Sequence, residues 1–184
     1  MKPVRLAING FGRIGRTLLR QLLDVNHTHE YEVVAINDLQ PLETLIYLLE
    51  RDSIHGQLSK DLLPITHKED YFWANHRSRI RAFSEKQPEK LPWRDLGIDI
   101  VVDGIFPTYP LLAKHLEAGA KRVVLTAPAK DREVFTFTPS VNEENLTRDH
   151  LITSNASCTT NAVAPIIKAI LMPLGIKRLQ IGTV

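Results

Sequence analysis

Short apolar runs alternate with amphipathic stretches along the first part of this 184-residue chain. Residues 4–9, V-R-L-A-I-N, form a β-prone run that stops at Gly10. Apolar residues then recur at helical spacing, and Ile14, Leu18, Leu22 and Val25 are predicted to share one buried helix face. Residues 31–36, Y-E-V-V-A-I, predict a second strand, closed by Asn37 and Asp38. Pro41 suits the first turn of the next helix, whose inner face is predicted to carry Leu42, Leu45, Ile46 and Leu49. Strand, helix, strand, helix is the signature of a parallel sheet.

Beyond residue 50 the pattern breaks into short pieces. Y-F-W at 71–73 and I-R-A-F at 80–83 read as antiparallel strands between turn-forming residues. Residues 98–102 and 123–126 read as buried strands. Residues 109–118 read as a helix, with Gly119 as its C-cap residue. Residues 151–153 lead into S-N-A-S-C-T-T-N at 154–161, where a helix is predicted from Ser157 to about Leu171. Pro165 would remove a backbone donor inside that helix and favours a kink. Residues 178–184 alternate polar and apolar side chains like a half-buried strand.

Composition narrows the class. Lys and Arg total 23 against 21 Asp and Glu, so the net charge of +2 does not select nucleic acid or a membrane surface. The basic run Arg77, Arg79 and Arg81 reads as a solvated strand or loop. A single cysteine excludes an intramolecular disulfide framework and a multi-cysteine metal site. It also suits a reducing cytoplasm. The start of the chain lacks a cleavable-leader pattern, and its apolar runs are too short to span a membrane.

Two stretches carry chemistry. N-G-F-G-R-I-G at 9–15 places Gly10, Gly12 and Gly15 in the G-x-G-x-x-G order between a predicted strand and a predicted helix. Gly10 permits the tight turn, Gly12 lets the backbone approach a pyrophosphate, and Gly15 lets helix pack on strand. The helix N-terminus offers N–H groups to the phosphates, and Arg13 stands inside the loop. Asp38 ends the second strand some 20 residues later, about the spacing expected for a carboxylate that binds a ribose 2′-hydroxyl. Such a carboxylate repels a 2′-phosphate, which favours NAD over NADP. The plainer alternative is that the glycines only make a turn and Asp38 caps the next helix. Together these features predict an α/β fold: a Rossmann-type, doubly wound, mostly parallel sheet.

The second stretch holds Cys158. A thiol attacks as its thiolate, and a helix N-terminus stabilises negative charge. Ser157, Thr159, Thr160 and Asn161 surround the cysteine with groups able to hold an oxyanion or a phosphate. The same residues serve equally as helix caps and turn formers, and free cysteines are mostly inert core residues. Residue types and spacing leave both readings open.

N-G-F-G-R-I-G-R at 9–16, N-D at 37–38, D-S-I-H-G at 52–56, L-P-W at 91–93 and S-N-A-S-C-T-T-N at 154–161 together resemble phosphorylating glyceraldehyde-3-phosphate dehydrogenases. Erythrose-4-phosphate dehydrogenase is a close relative with the same motifs. The resemblance implies covalent catalysis, in which a cysteine thiolate adds to an aldehyde, hydride passes to NAD, and inorganic phosphate releases an acyl phosphate. It implies that Cys158 is the nucleophile and that Ser157 and Thr159 contact substrate or phosphate. Arg13 and Ile14 would bind the pyrophosphate, Asp38 the adenosine ribose, Lys86 the adenine side, and Thr126 the nicotinamide ribose. It further implies a homotetramer for the full-length family, a cytoplasmic location, small-molecule partners and no nucleic-acid or membrane partner. The family tolerates a proline where Pro165 stands.

Three departures qualify the expectation. The family usually has an arginine where this chain has Lys86, which keeps the charge without the planar fork. The segment after Val102 reads D-G-I-F and looks two residues short, which should weaken or reposition NAD. The family's catalytic histidine would lie beyond Val184, and none of the seven histidines here replaces it by motif. The expected organisation is a cofactor-binding domain over 1–156, then the first helix and strand of a truncated α+β catalytic domain over 157–184, with little activity in this chain alone. Competing readings are erythrose 4-phosphate oxidation, a degenerate dinucleotide-binding remnant and a thiol redox sensor. The A-P-A-K segment at 127–130 leans towards the glyceraldehyde branch.

Overall fold

Runs of β-branched and aliphatic residues too short for helices pair side by side, and the longer amphipathic runs pack across them. The computed structural model describes residues 2–23, 30–59, 62, 65–74 and 78–182. Its strands are β1 (Val4–Asn9), β2 (Tyr31–Asn37), β3 (Arg51–Asp52), β4 (Gly56–Gln57), β5 (Thr66–Lys68), β6 (Tyr71–Ala74), β7 (Ser78–Phe83), β8 (Ile100–Asp103), β9 (Arg122–Leu125), β10 (Phe135–Thr136) and β11 (Ile152–Ser154). Its α-helices are α1 (Arg13–Leu22), α2 (Leu42–Glu50), α3 (Tyr109–Glu117) and α4 (Cys158–Leu174). Among the described residues the main sheet runs β10-β11-β9-β8-β1-β2-β7-β6-β5. Pairing is parallel from β10 through β7, while β6 and β5 add an antiparallel margin. The expected α/β class with a mostly parallel sheet is therefore present.

Both faces of the central strands are covered, as a parallel sheet requires. In β1, Leu6 and Ile8 pack with Leu19 of α1 and Leu45, Ile46 and Leu49 of α2. Ala7, between them, packs on the opposite face with Trp93, Ile98 and Val101. Leu19 and Leu49 are fully buried, each burial contributing about 1.5–3 kcal/mol. A third cluster joins Leu112 of α3 to Val123, Leu125 and Ile152.

Several expectations need correction. The buried stripe of α1 is Gly15 and Leu19, flanked by half-buried Leu18 and Leu22, and Ile14 is 59% exposed. The apolar spacing allows either stripe, and packing on β1 selects this one. Val25 lies outside the described residues, as does Arg77. α4 runs unbroken through Pro165 and Pro173 to Leu174. Residues 178–182 join no strand and stay exposed. Alternation alone cannot hold a strand without a neighbour to pair with. Among the described residues no helix is long and apolar enough to cross a membrane.

Candidate functional site

The strands β1, β2, β8, β9 and β11 run in one direction, so Asn9, Asn37, Asp103, Leu125 and Ser154 end them along a common carboxyl edge. Open α/β sheets bind ligands at such an edge. At its centre Gly10 turns with φ +92°, and its N–H bonds to the Asn37 carbonyl at 2.8 Å. Gly15 packs so tightly that an added Cβ would overlap the Gly10 carbonyl oxygen. A Cβ on Gly12 would meet nothing within 4 Å. Gly12 is also the N-cap of α1 and provides no side-chain cap, and no acidic residue lies in the first turn. The first N–H groups of α1 thus face an open approach with the polarity a phosphate requires.

Arg13 opens α1 half exposed, with its guanidinium 3.6 Å from the Asp52 carboxylate and 3.5 Å from Ser53 Oγ. Asp52 accepts the N–H groups of His55 and Ile54, which hold its pKa below the ordinary aspartate value. The D-S-I-H-G segment is therefore a backbone turn that steadies Arg13, and His55 is exposed within it. Arg16 braces the loop from inside by donating to the Phe11 carbonyl at 2.9 Å. Partial burial lowers the pKa of Arg16, with Asp52 opposing that shift.

Asp38 follows β2. One carboxylate oxygen accepts the Phe11 N–H at 2.8 Å and the other the Gln40 N–H at 3.0 Å. These bonds aim the carboxylate at the loop and leave lone pairs for hydroxyl donors. Lys86 is exposed, one residue past Glu85, whose backbone N–H and C=O both bind the Asn37 amide. On the other flank Thr126 follows β9, and its N–H bonds to the Asp103 carbonyl. The Thr126 hydroxyl lies 3.5 Å from where a Cβ on Gly104 would sit. Asp38 and Thr126 thus stand on opposite sides of the glycine loop.

The cysteine segment joins the same edge. Asn155 N–H bonds to the Leu125 carbonyl at 2.8 Å, and Ser154 Oγ donates to the Ala127 carbonyl at 2.7 Å. Ala156 then takes a left-handed φ of +58°, a conformation that costs a non-glycine residue about 1 kcal/mol. Ser157 is the N-cap of α4, its Oγ accepting the Thr160 N–H at 3.0 Å. Asn161 Nδ2 donates back to the carbonyls of Asn155 at 2.6 Å and Ser157 at 3.0 Å. Cys158 is consequently the first residue of α4 and is exposed, beside exposed Thr159 and Thr160. The thiol is therefore not packed into a core formed by the described residues.

Beneath the edge lies a buried polar row that residue-type reasoning missed. Asn9, Asn37 and Asp103 are register partners at the ends of β1, β2 and β8. Asn37 Nδ2 donates to Asn9 Oδ1 at 2.7 Å, and Asn9 Nδ2 donates to Asp103 Oδ2 at 2.6 Å. His115 of α3 reaches Asp103 Oδ2 with Nε2 at 3.0 Å, and Trp93 Nε1 donates to His115 Nδ1 at 2.9 Å. The visible signal was a polar residue closing each apolar strand.

Comparison with known proteins fits this edge. The family described as glyceraldehyde 3-phosphate dehydrogenase, NAD binding domain, matches residues 4–108. The chain belongs to this family. Its NAD-binding domain contains the glycine loop and Asp38, and its cofactor is NAD. A glyceraldehyde-3-phosphate dehydrogenase of Chlamydia trachomatis is 45% identical over 183 residues, covering 98% of this chain and 53% of the relative. That of Xanthobacter flavus is 43% identical over 177 residues, covering 95% of this chain and 51% of the relative. That of Thermotoga maritima is 42% identical over 182 residues, covering 98% and 53%. The chain spans about half the length of these curated relatives.

Proposed function

We propose that this chain supplies the cofactor cleft and the acyl-forming cysteine for NAD-dependent, phosphorylating oxidation of glyceraldehyde 3-phosphate. The observation that carries the reading is the common carboxyl edge, where an open glycine loop, an oriented Asp38 and an exposed Cys158 at a helix start lie together. Arg13 and the first N–H groups of α1, with Ile14, would hold the pyrophosphate. Asp38 would accept the adenosine ribose hydroxyls, Lys86 would flank the adenine, and Thr126 would face the other ribose. Bound NAD supplies the hydride acceptor. The Cys158 thiolate adds to the aldehyde carbon to give a thiohemiacetal. Loss of hydride, with the hydroxyl proton released to solvent, leaves a thioester, and inorganic phosphate displaces the sulfur as thiolate, forming the acyl phosphate. Ser157 and Thr159, beside the sulfur, would orient the substrate or phosphate.

That these relatives are glyceraldehyde-3-phosphate dehydrogenases favours glyceraldehyde 3-phosphate over erythrose 4-phosphate. The active assembly would be the family's homotetramer, and an exposed free thiol suits the reducing cytoplasm. Calorimetric titration with NAD and NADP tests the cofactor half. NAD should bind about tenfold or more tighter, and Asp38→Asn should narrow the gap, because the lost carboxylate is what repels a 2′-phosphate. Glyceraldehyde 3-phosphate should slow carboxymethylation of Cys158. No saturable binding of NAD would favour the degenerate-remnant reading, to which the short turn after Asp103 lends weight.

A further inference from the structure

We propose that Asp103 is a positioning residue that sets the nicotinamide-side wall of the cleft, locked in place by His115 and Trp93. The proposal rests on the NAD-binding reading above. Asp103 is fully buried, as are His115 and Trp93. Among the described residues no lysine or arginine pairs with its carboxylate, and His115 is a cation only if both ring nitrogens carry protons. Trp93 decides that point, because an indole nitrogen only donates. His115 Nδ1 must present its lone pair to Trp93, so the ring proton sits on Nε2 and points to Asp103. Asn9 Nδ2, 3.3 Å from the same Nε2, is also a donor, so both converge on Asp103 Oδ2.

The other oxygen does different work. Oδ1 accepts the N–H groups of Ile105 and Phe106, both at 2.7 Å. Four N–H groups from neutral partners therefore satisfy the carboxylate, which is what a buried charge without a counter-ion requires. Two of the four come from the turn that is two residues shorter than the sequence resemblance leads one to expect. That turn leaves Ile105 47% exposed while its Cγ1 lies 2.8 Å from where a Gly10 Cβ would sit. Gly104 lies against Thr126 Oγ1 and the carbonyls of Asn9 and Gly10. The turn accordingly closes the Thr126 side of the glycine loop, away from Asp38. Asp103 ties it to the sheet edge, and the His115–Trp93 pair keeps Oδ1 turned towards it.

The test titrates NAD and AMP separately against the 184-residue chain, because AMP carries only the adenosine half. In Asp103→Asn the amide cannot accept at both ends, so the turn or the row loses its anchor. The dissociation constant for NAD should rise about tenfold or more, while that for AMP changes less than about threefold. Equal weakening of both ligands would reduce Asp103 to a general structural role and overturn the proposal, as would unchanged NAD binding. If the unaltered chain binds neither ligand, the cofactor reading itself fails, a distinct result. Should Asp103→Asn not fold, Trp93→Phe carries the test from outside the cleft. In the unaltered chain, 15N spectra of His115 should show the Nε2–H tautomer alone. In Trp93→Phe they should show mixed tautomers with NAD weakened about two- to fivefold and AMP retained. An Nδ1–H tautomer in the unaltered chain would overturn the proposal.

Discussion

The glycine loop and the cysteine helix share one sheet edge but are built differently. Around the loop, Asn9, Asn37 and Asp103 are buried and joined side chain to side chain, and large apolar clusters cover both faces of the strands below. α4 spans 17 residues and buries none of them. Ile166, Ile170, Leu171, Met172 and Leu174 are all exposed. The Asn161 and Ser157 bonds hold its first turn, and Lys168 reaches the Val141 carbonyl further along. Helices draw most of their stability from a packed face. The cofactor cleft is thus set by tertiary packing, whereas the Cys158 thiol is held by a local backbone clamp.

The largest expected effect separates the two regions by function. Cys158→Ser should abolish thioester formation and lower NADH production from glyceraldehyde 3-phosphate, in any protein form that turns over, by about 10⁴-fold or more. It should leave the NAD dissociation constant, read by calorimetry, within about twofold. Loss of NAD binding in that variant would break the separation.

Two glycines of the loop divide the cleft side into fold and ligand contributions. Gly15→Ala forces a Cβ into the Gly10 carbonyl and against Ile8, and should cost about 1–3 kcal/mol in urea unfolding. Gly12→Ala places its methyl in open space, so stability should change by less than about 0.5 kcal/mol. Its NAD affinity should nevertheless fall about tenfold or more, because the methyl would stand on the approach proposed for the phosphates. If both variants lost stability equally, the open approach at Gly12 would be wrong.

On the cysteine side, Ser157→Ala removes the cap that accepts the Thr160 N–H and should cost about 1 kcal/mol. With so little else holding α4, hydrogen exchange in its first turn should accelerate while exchange in β1 and β2 stays unchanged.

The smallest effect concerns Asp99, just before β8. The Arg5 backbone N–H, and after it the Lys121 ammonium, hold its pKa below the ordinary aspartate value. A folded-state pKa below the unfolded one contributes stability above the unfolded value and loses it as pH falls through the folded value. Asp99→Asn should therefore destabilise the chain at neutral pH by no more than about 1 kcal/mol, given its partial exposure, and by less at a pH below the ordinary aspartate range. Urea unfolding at both pH values checks this.

Much of the cleft was legible in the chain. The turn at Gly10, the helix start at Gly12 and the carboxylate at Asp38 follow from backbone constraints acting within a few residues, and the apolar runs marked the strands. Ser157 as a helix cap and Cys158 in the first turn were legible for the same reason. The buried face of α1 was not, since its apolar residues permit two stripes and only contact with β1 chose Leu19 over Ile14. The strand expected over 178–184 fails over its described residues because a strand exists only with a partner.

The Asn37–Asn9–Asp103–His115 row is the clearest case of what only the tertiary structure decided. Its members stand as far as 106 residues apart. They meet because the parallel registers of β1 with β2 and β8 bring three strand ends level. A slip of one residue would turn each of these side chains to the opposite face. The sequence by itself determined which chemical groups close the strands. Strand register decided which of them touch, because hydrogen bonds between side chains that distant form only after the sheet has aligned their backbones.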